Sequence, residues 1–249
     1  MTNMLWIEMM GPPGSGKSTI YSRLIKQERF FGGRRNVLRR KLKADADPFA
    51  RGVYRMMPKA FRGFVNDKIL FRHFAYEAFK NFVLSNPEFL VVLHDIVVAT
   101  YPDKSDVFAW TKQSAERHQL GMETVRNGEM LIFDEGLLQR ACSVLWRSGD
   151  SEYISGTYIN SIPLPDIVVH IDAPTELCLQ RRSDRKRTIK SQKWQSGNMV
   201  EEQDFFREIC FQVRDCLTES SRIISIDNTS TVADAVERLI SALLKHSKK

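Results

Sequence analysis

The apolar residues of this 249-residue chain are gathered into short runs that alternate with longer amphipathic stretches. Four runs of four to six residues are bounded by turn or helix signals, a pattern typical of strands buried on both faces of a parallel sheet. A weaker strand candidate, Asn36–Leu38, follows the break at Gly32 and Gly33. The four stronger strand predictions are Leu5–Met10, Met130–Phe133, Ile167–Ile171 and Ile223–Ile226.

Helical patterns occupy the stretches between these strands. Ser18–Gln27 follows a glycine-rich loop, and Thr175–Arg185 follows Pro174, a residue suited to the first turn of a helix. Val232–Leu244 has apolar residues at helical spacing along one face. Since strands alternate with helices, we predict an α/β fold in which helices cover both faces of a parallel sheet.

The stretch from about residue 41 to residue 128 does not follow this alternation. It contains no convincing strand, but helical patterns occur at Val65–Leu84, Pro87–Ala99 and Ser105–Arg126. The chain length suits one sizeable α/β domain. We therefore predict a single domain over residues 1–249, with a helical insertion at about 41–128.

A glycine-rich loop lies between the first predicted strand and the first predicted helix. It fits the pattern GxxxxGK[ST], in which backbone N–H groups cradle phosphates, a lysine reaches the β- and γ-phosphates, and a hydroxyl binds Mg²⁺. The following helix adds the positive end of its dipole. We predict binding of ATP and Mg²⁺, with Lys17 catalytic and Ser18 a metal ligand. The residues predicted to bind the nucleotide here are Gly11, Pro12, Pro13, Gly14, Ser15, Gly16, Lys17, Ser18 and Thr19.

Two carboxylates, Asp134 and Glu135, directly follow the strand Met130–Phe133. The carboxyl ends of parallel strands form the edge where ligands bind in open α/β sheets. A phosphate-binding loop of this kind needs an acid there to hold the metal or to orient the nucleophile. Asp134 would bind Mg²⁺ or accept the proton of an acceptor hydroxyl, and Glu135 is the other candidate for that base.

Basic residues are clustered after the third of the four stronger strands. Arg181 and Arg185 are four residues apart and share one helical face, and Arg187 falls where the helix should end. Guanidinium groups on a closing loop would stabilise the charge that spreads over a transferring phosphoryl group. Alternatively, these arginines form an exposed basic helix end that the helix dipole favours and have no role in transfer. After the last strand, the loop with Asn228 and Thr229 would lie along the adenine.

Composition excludes several classes of protein. Hydrophobic residues make up 43% and charged residues 27% of the chain, as in ordinary globular proteins. There is no run of 18 apolar residues and no secretory signal pattern, so we predict a cytoplasmic protein without a membrane span. Four cysteines without a CxxC pair indicate reduced thiols.

The net charge of +7 is concentrated in one segment. Between Arg29 and Arg72, thirteen Lys and Arg residues stand against three Asp residues, a local excess of +10 that leaves −3 for the remainder. Such a segment suits an anionic partner, either a phosphorylated small molecule or nucleic acid. It would equally suit a solvated helical face.

The motifs together resemble the P-loop kinases of the nucleoside and nucleoside monophosphate kinase group, which includes thymidylate kinase. The resemblance is carried by Gly11–Ser18, Phe133–Glu135, Asp172–Arg187 and Ile226–Thr229. The third segment looks like the helix and arginine-bearing lid of deoxynucleoside kinases. The resemblance implies a P-loop NTPase three-layer fold with a mainly parallel five-stranded sheet, and ATP-dependent transfer to a small acceptor. It also implies that Arg181, Arg185 and Arg187 close over the ATP phosphates.

Two positions depart from the pattern of those kinases. They usually carry an arginine directly after the acid of the third strand, where this chain has Glu135. The nucleoside kinases also carry a base after the second strand, and only basic residues occur near Val37–Arg40. The resemblance therefore covers the ATP half of the chain and leaves the acceptor open.

Three functions fit these residues. The first is a kinase that transfers the γ-phosphoryl group of ATP to a hydroxyl or phosphate of a small, anionic, nucleoside- or nucleotide-like acceptor, which the helical insertion would bind. The basic segment leaves a kinase acting on nucleic acid, or on a modified base in it, as an alternative. A regulatory NTPase switch is the third, although the guanine-reading NKxD pattern is absent. The oligomeric state stays open.

Overall fold

The computed structural model describes residues 4–45, 52, 54–58, 61, 71–100, 105–184, 198–217 and 222–246. The strands are β1 (Leu5–Met10), β2 (Phe30–Gly32), β3 (Met130–Phe133), β4 (Ile167–Asp172) and β5 (Arg222–Asp227). The longer helices are α1 (Lys17–Leu24), α2 (Arg34–Asp45), α3 (Phe71–Ser85), α4 (Phe89–Thr100), α5 (Ser105–Thr124), α6 (Leu137–Ser148), α7 (Thr175–Asp184), α8 (Met199–Asp215) and α9 (Val232–His246). Short helical turns between α6 and β4 cover Ser151–Tyr153, Ile154–Tyr158 and Ile159–Ser161.

The strands form a five-stranded sheet in the order β2-β3-β1-β4-β5, and every neighbouring pair is parallel. β1 is the central strand, and Glu8 in it lies opposite Phe133 of β3 and Val168 of β4. Because all strands run the same way, the loops that follow β1, β3 and β4 meet at one edge of the sheet. The predicted fold class and the four stronger strands are confirmed.

Helices cover both faces of the sheet, and β1 shows how its residues divide between them. Successive side chains of a strand point to opposite faces. Ile7 and Met9 pack in a buried cluster with residues of α1 and α9. Met10 belongs to a second cluster, on the other face, with residues of α3, α4, α6 and α8. Glu8 shares that second face, which places a carboxyl group in an otherwise apolar layer.

The second strand lies six residues before the weak candidate Asn36–Leu38, so that prediction is wrong. The strand is Phe30–Gly32, and Gly33, with φ of 80°, ends it. The chain then continues as α2, in which Val37 and Leu38 are buried on the core side. A three-residue strand carries too little periodicity to be recognised, and apolar residues within the following basic helix imitate a strand.

The described part of residues 41–128 is helical and contributes α3, α4, α5 and the end of α2. The predicted helix Val65–Leu84 corresponds to α3, while its first residues lie outside the described ranges. Two cations of the basic segment are paired within the chain: Arg40 with Glu129 at 2.5 Å and Lys41 with Glu123 at 2.7 Å. The single-domain assignment stays a prediction.

The described helices and the four cysteines bear on the predictions of no membrane span and of reduced thiols. Among the described residues, no single helix is long and apolar enough to cross a membrane. Phe74–Ser85 and Phe89–Val98, bent by 109° at their junction, meet the length and composition test only as a pair. The four cysteines are free, with Cys216 exposed and the other three buried.

Candidate active site

The glycine-rich loop between β1 and α1 is folded as an anion cradle. Gly14 and Gly16 have φ of 88° and 97°, a left-handed conformation that side chains disfavour. A Cβ atom would lie 2.4 Å from the carbonyl oxygen of Cys178 at Gly14, and 2.3 Å from the amide nitrogen of Asn228 at Gly16. Only glycine allows the loop to approach these neighbours so closely.

Lys17 and Ser15 supply the polar groups of the cradle. Lys17 Nζ donates to the carbonyl oxygens of Pro12, at 3.1 Å, and Gly11. Burial, which disfavours the charged amine, lowers the pKa of Lys17. The buried hydroxyl of Ser15 has no hydrogen-bond partner among the described residues. An anion in the loop would satisfy both groups.

Side chains from three other elements hold the loop in place. Gln139 of α6 accepts a hydrogen bond from the backbone N–H of Gly11 (3.1 Å). Asn228, after β5, donates to the carbonyl of Ser15 (2.6 Å). Gln203 of α8 donates to the carbonyl of Pro13 (2.9 Å). The conformation of the loop therefore depends on contacts between residues that are far apart in the chain.

A buried carboxyl group fixes the start of α6. The oxygen Oε1 of Glu8 accepts hydrogen bonds from the backbone N–H groups of Leu138 (2.6 Å) and Gln139 (3.2 Å). Glu8 is 0% exposed, and burial raises its pKa to about 7. Gly136 makes this approach possible, since a Cβ there would lie 2.3 Å from the Glu8 carboxyl carbon. Glu8 thus positions the helix that carries Gln139.

The two acids after β3 have different surroundings. Asp134 is half-buried, and burial, followed by the charge of Glu135, raises its pKa. It lines a small, largely apolar pocket beside Tyr21 and Phe133. Glu135 is exposed and forms an ion pair with Arg140 of α6 at 2.7 Å. The acids therefore suit different tasks.

A cleft opens between the glycine-rich loop and the helices that follow β3. Lys17, Ser18 and Glu135 line it together, as the sequence predicts for residues of one site. Arginines and aromatic rings line it as well. The complete lining is Pro13, Gly14, Gly16, Lys17, Ser18, Trp110, Glu135, Gln139, Arg140, Ser143, Trp146, Arg147, Arg182 and Phe206.

The residues predicted after β4 and β5 lie on the other side of the loop. Arg181 donates to the carbonyl oxygens of Asn228 (2.8 Å) and Ser15 (3.5 Å), so its guanidinium braces the loop in this structure. The backbone N–H of Thr229 bonds to its neighbour Asp227 (3.1 Å). Arg185 and Arg187 lie outside the described residues, and their predicted roles stay predictions.

Sequence reasoning missed several residues of the cleft. Gln139, Arg140 and Arg147 belong to α6, whose apolar residues recur at helical spacing and whose arginines are seven residues apart on one face. The helical spacing of these arginines could therefore have been recognised from the sequence. No local signal places Trp110 or Gln203 beside the loop, because both come from helices distant in the chain.

The residues present fit a magnesium nucleotide. Magnesium is usually held by one or two protein ligands together with substrate phosphates and water. Ser18 and Asp134 could supply those ligands, and the cradle could take the phosphates. Among the described residues there is no group of three or more His, Cys, Asp or Glu side chains that could hold a metal by itself.

Among the comparisons with known proteins, the similarities found are to solved structures. No family model matches it, and no curated protein is significantly similar in sequence. Deoxyadenosine kinase from M. mycoides, with dCMP and a flexible dCDP bound, superposes with a TM-score of 0.52 at 17% identity, covering 97% of this chain and 100% of that one. The same enzyme with dCTP bound gives 0.50 at 15% identity, with the same coverage. The chain therefore has the three-layer fold of a P-loop kinase.

Proposed function

We propose that the protein is an ATP- and Mg²⁺-dependent phosphotransferase that moves the γ-phosphoryl group of ATP to a hydroxyl or phosphate of a small acceptor. The observation that carries the proposal is the junction of two half-sites at one sheet edge. One is an anion cradle in which Lys17 and Ser15 have no anionic partner in the described part of the chain. The other is the acid pair Asp134 and Glu135, at the end of the neighbouring strand β3. Glu135 lines the cleft together with Lys17, and Asp134 lines the adjoining pocket, to which Glu135 also contributes.

The cradle would hold the donor. Backbone N–H groups of the loop and the start of α1 face the phosphates, and Lys17 adds a positive charge at the phosphoryl group that moves. Ser18 and Asp134 would hold Mg²⁺, which neutralises phosphate charge when bound. Gln139, Asn228 and Gln203 keep the loop in its binding conformation, so little reorganisation is needed during transfer.

The acid pair would serve the acceptor and the metal separately. Asp134 makes no ion pair with a described residue and lies deeper, which suits a metal ligand. Glu135 is already paired with Arg140, so its negative charge is partly compensated within the cleft. Glu135 remains the better placed of the two to accept the acceptor's proton or to orient Arg140 toward it.

The cleft suits a small acceptor of nucleoside or nucleotide type. Trp110, Trp146 and Phe206 offer apolar ring surfaces, and the arginines beside them offer hydrogen-bond donors. The chain also superposes on deoxyadenosine kinase structures, which have nucleotides bound. We therefore place the acceptor between the loop and α6.

Transfer of γ-phosphate from labelled ATP tests the proposal. Purified protein is incubated with Mg²⁺ and separate panels of nucleosides, nucleotides, sugars and single-stranded DNA or RNA, next to a tube without acceptor. We expect label in one class of small acceptor. Equal phosphate release in every tube, with no labelled product, would refute the kinase and favour an NTPase switch. Label in the nucleic acid alone would establish the polynucleotide alternative.

A further inference from the structure

Two arginines stand on one face of α6, along the wall of the cleft. Arg140 and Arg147 are seven residues apart, which is two helical turns. Both guanidinium groups approach the ring of Trp110, with their central carbons 5.7 and 5.8 Å from its centroid. Arg147 also lies 5.4 Å from the ring centroid of Trp146. Aromatic rings thus support the two cations at the cleft surface.

The two arginines differ in their partners. Arg140 is held by Glu135 (2.7 Å) and by the hydroxyl of Ser114 (3.2 Å). Arg147 is half-buried, yet it makes no hydrogen bond or ion pair with any described residue, and its buried Nε lacks a partner. A buried guanidinium nitrogen without an acceptor is costly unless a ligand supplies one.

The charges of the cleft indicate what that ligand carries. Glu135 is the sole acid lining the cleft among the described residues, and Arg140 neutralises it. Lys17 belongs to the phosphate cradle, so it would be neutralised by the donor. Arg182, which also lines the cleft, donates to the neutral amide of Gln203 (2.8 Å). On the α6 side of the cleft, Arg147 is therefore a cation that no described carboxylate neutralises.

We propose that Arg147, supported by Trp110 and Trp146, binds an anionic group of the acceptor, so that the enzyme selects phosphate-bearing acceptors over their neutral counterparts. This inference rests on the proposed function, because it assigns the acceptor of that same site. Arg147 is a specificity-determining residue in this account and takes no part in the transfer step.

The test uses matched acceptors that differ by one phosphate group. The pairs are adenosine and AMP, thymidine and TMP, and glucose and glucose 6-phosphate. Comparing the first two pairs with the third shows whether the anionic group belongs to a nucleotide or to a sugar phosphate. Each is assayed for phosphate transfer, and its binding is followed by tryptophan fluorescence in the presence of Mg²⁺ and a non-hydrolysable ATP analogue. The variants are Arg147→Gln and Arg147→Lys. Arg214→Gln is the matched control, since Arg214 also stacks on an aromatic ring, Phe211 at 4.7 Å, but does not line the cleft.

We expect kcat/KM to be at least about tenfold higher for the phosphorylated member of one pair. Arg147→Gln should raise KM for that member by about 10- to 100-fold, the range for a charged hydrogen bond. The neutral member should be unaffected, Arg147→Lys should recover part of the loss, and Arg214→Gln should behave as wild type.

The alternative role of Arg147 is structural, since a cation in the last turn of a helix also stabilises the helix dipole. In that case Arg147→Gln would lower the melting temperature and leave the preference between paired acceptors unchanged, which overturns the inference. Transfer without preference for either member would overturn it too, while the proposed function would stand. If no acceptor is phosphorylated, the proposed function fails. The binding measurement then tests the inference by itself. Phosphorylated probes that bind wild type but not Arg147→Gln would support the anion site at Arg147. Equal binding to both proteins, or no binding to wild type, would refute it.

Discussion

Replacing Glu8 with glutamine should remove a pH dependence of stability that originates beneath the phosphate-binding loop. Glu8 lies in the central strand, is 0% exposed, and accepts two backbone hydrogen bonds at the start of α6. A glutamine side chain keeps the accepting oxygen and the shape of the carboxyl group, but it cannot ionise. The variant therefore imitates the protonated form of Glu8 at every pH.

The size of the effect follows from two opposing influences. The backbone N–H groups and the helix start favour the charged form, typically by less than about 2 kcal/mol. Desolvation is larger and raises the pKa of Glu8 from 4.5 to about 7. At about 1.4 kcal/mol for each tenfold change in proton affinity, the folded state loses about 3 kcal/mol of stability between pH 4.5 and pH 7. The loss runs upward in pH because the folded state holds the proton more tightly than the unfolded state.

Two buried histidines titrate in the opposite sense, so the measurement must be a difference. Burial lowers the pKa of His118 to about 3 and that of His170 to about 4. Both groups therefore cost stability as the pH falls below their ordinary value of 6.5. Their contribution is the same in wild type and in Glu8→Gln, and it cancels when the two free energies of unfolding are subtracted.

Urea unfolding of both proteins at several pH values between 5 and 8 provides the assay. Relative to wild type, Glu8→Gln should gain about 2–3 kcal/mol as the pH rises across this range, since part of the titration lies below pH 5. Glu237→Gln, which replaces an exposed carboxylate of α9, should show no comparable trend. A difference between wild type and Glu8→Gln that is independent of pH would refute the reasoning, because it would mean that the helix start outweighs desolvation.

The remaining predictions concern the loop and the acids. Lys17→Ala should reduce phosphate transfer by at least about a hundredfold by removing the charge at the moving phosphoryl group; near-normal turnover would exclude the loop from the chemistry. Asp134→Asn should retain ATP binding, measured by calorimetry, and lose most turnover. Glu135→Gln should lower turnover, since Glu135 is the candidate base, and the acidic limb of the remaining activity should move to lower pH, because the charge of Glu135 raises the pKa of Asp134; an unmoved limb would show that ionisation of Asp134 does not control the rate. Gly16→Ala should weaken ATP binding and lower stability by about 1–3 kcal/mol, measured by thermal unfolding. The residue has a positive φ, and the added Cβ atom would lie 2.3 Å from the amide nitrogen of Asn228.

The parts of the fold that the sequence predicted are those set by local patterns. β1 and β3 are continuous apolar runs, and the glycine-rich loop carries its own conformational requirement in Gly14 and Gly16. The edge position of Asp134 follows from parallel topology once the strands are recognised. Each of these inferences needs only a few consecutive residues and one general rule.

The parts that were missed depend on pairs of residues that are distant in the chain. Gln139 holds the N–H of Gly11 across 128 residues, and Asn228 holds the carbonyl of Ser15 across 213 residues. The place of Asn228 after the last strand predicts a position along the adenine, which stays a prediction; the hydrogen bond from its side chain to the loop has no such local signal. Hydrogen bonds of this kind have no period and no motif, so only the packed structure reveals them.

Glu135 and Arg140 show why a departure from a motif need not remove a charge from a site. Kinases that this chain resembles usually carry arginine where Glu135 stands, so the sequence suggests a missing cation. In the structure, Arg140 reaches back from α6 to the Glu135 carboxylate at 2.7 Å and lines the same cleft. Three contacts, from Glu135, Ser114 and Trp110, restrict its guanidinium, which lowers the entropy lost when it binds a ligand. In the proposed site, a carboxylate that anchors an arginine would therefore take the place of an arginine in the motif itself, and Asp134 would be the acid left to bind the metal.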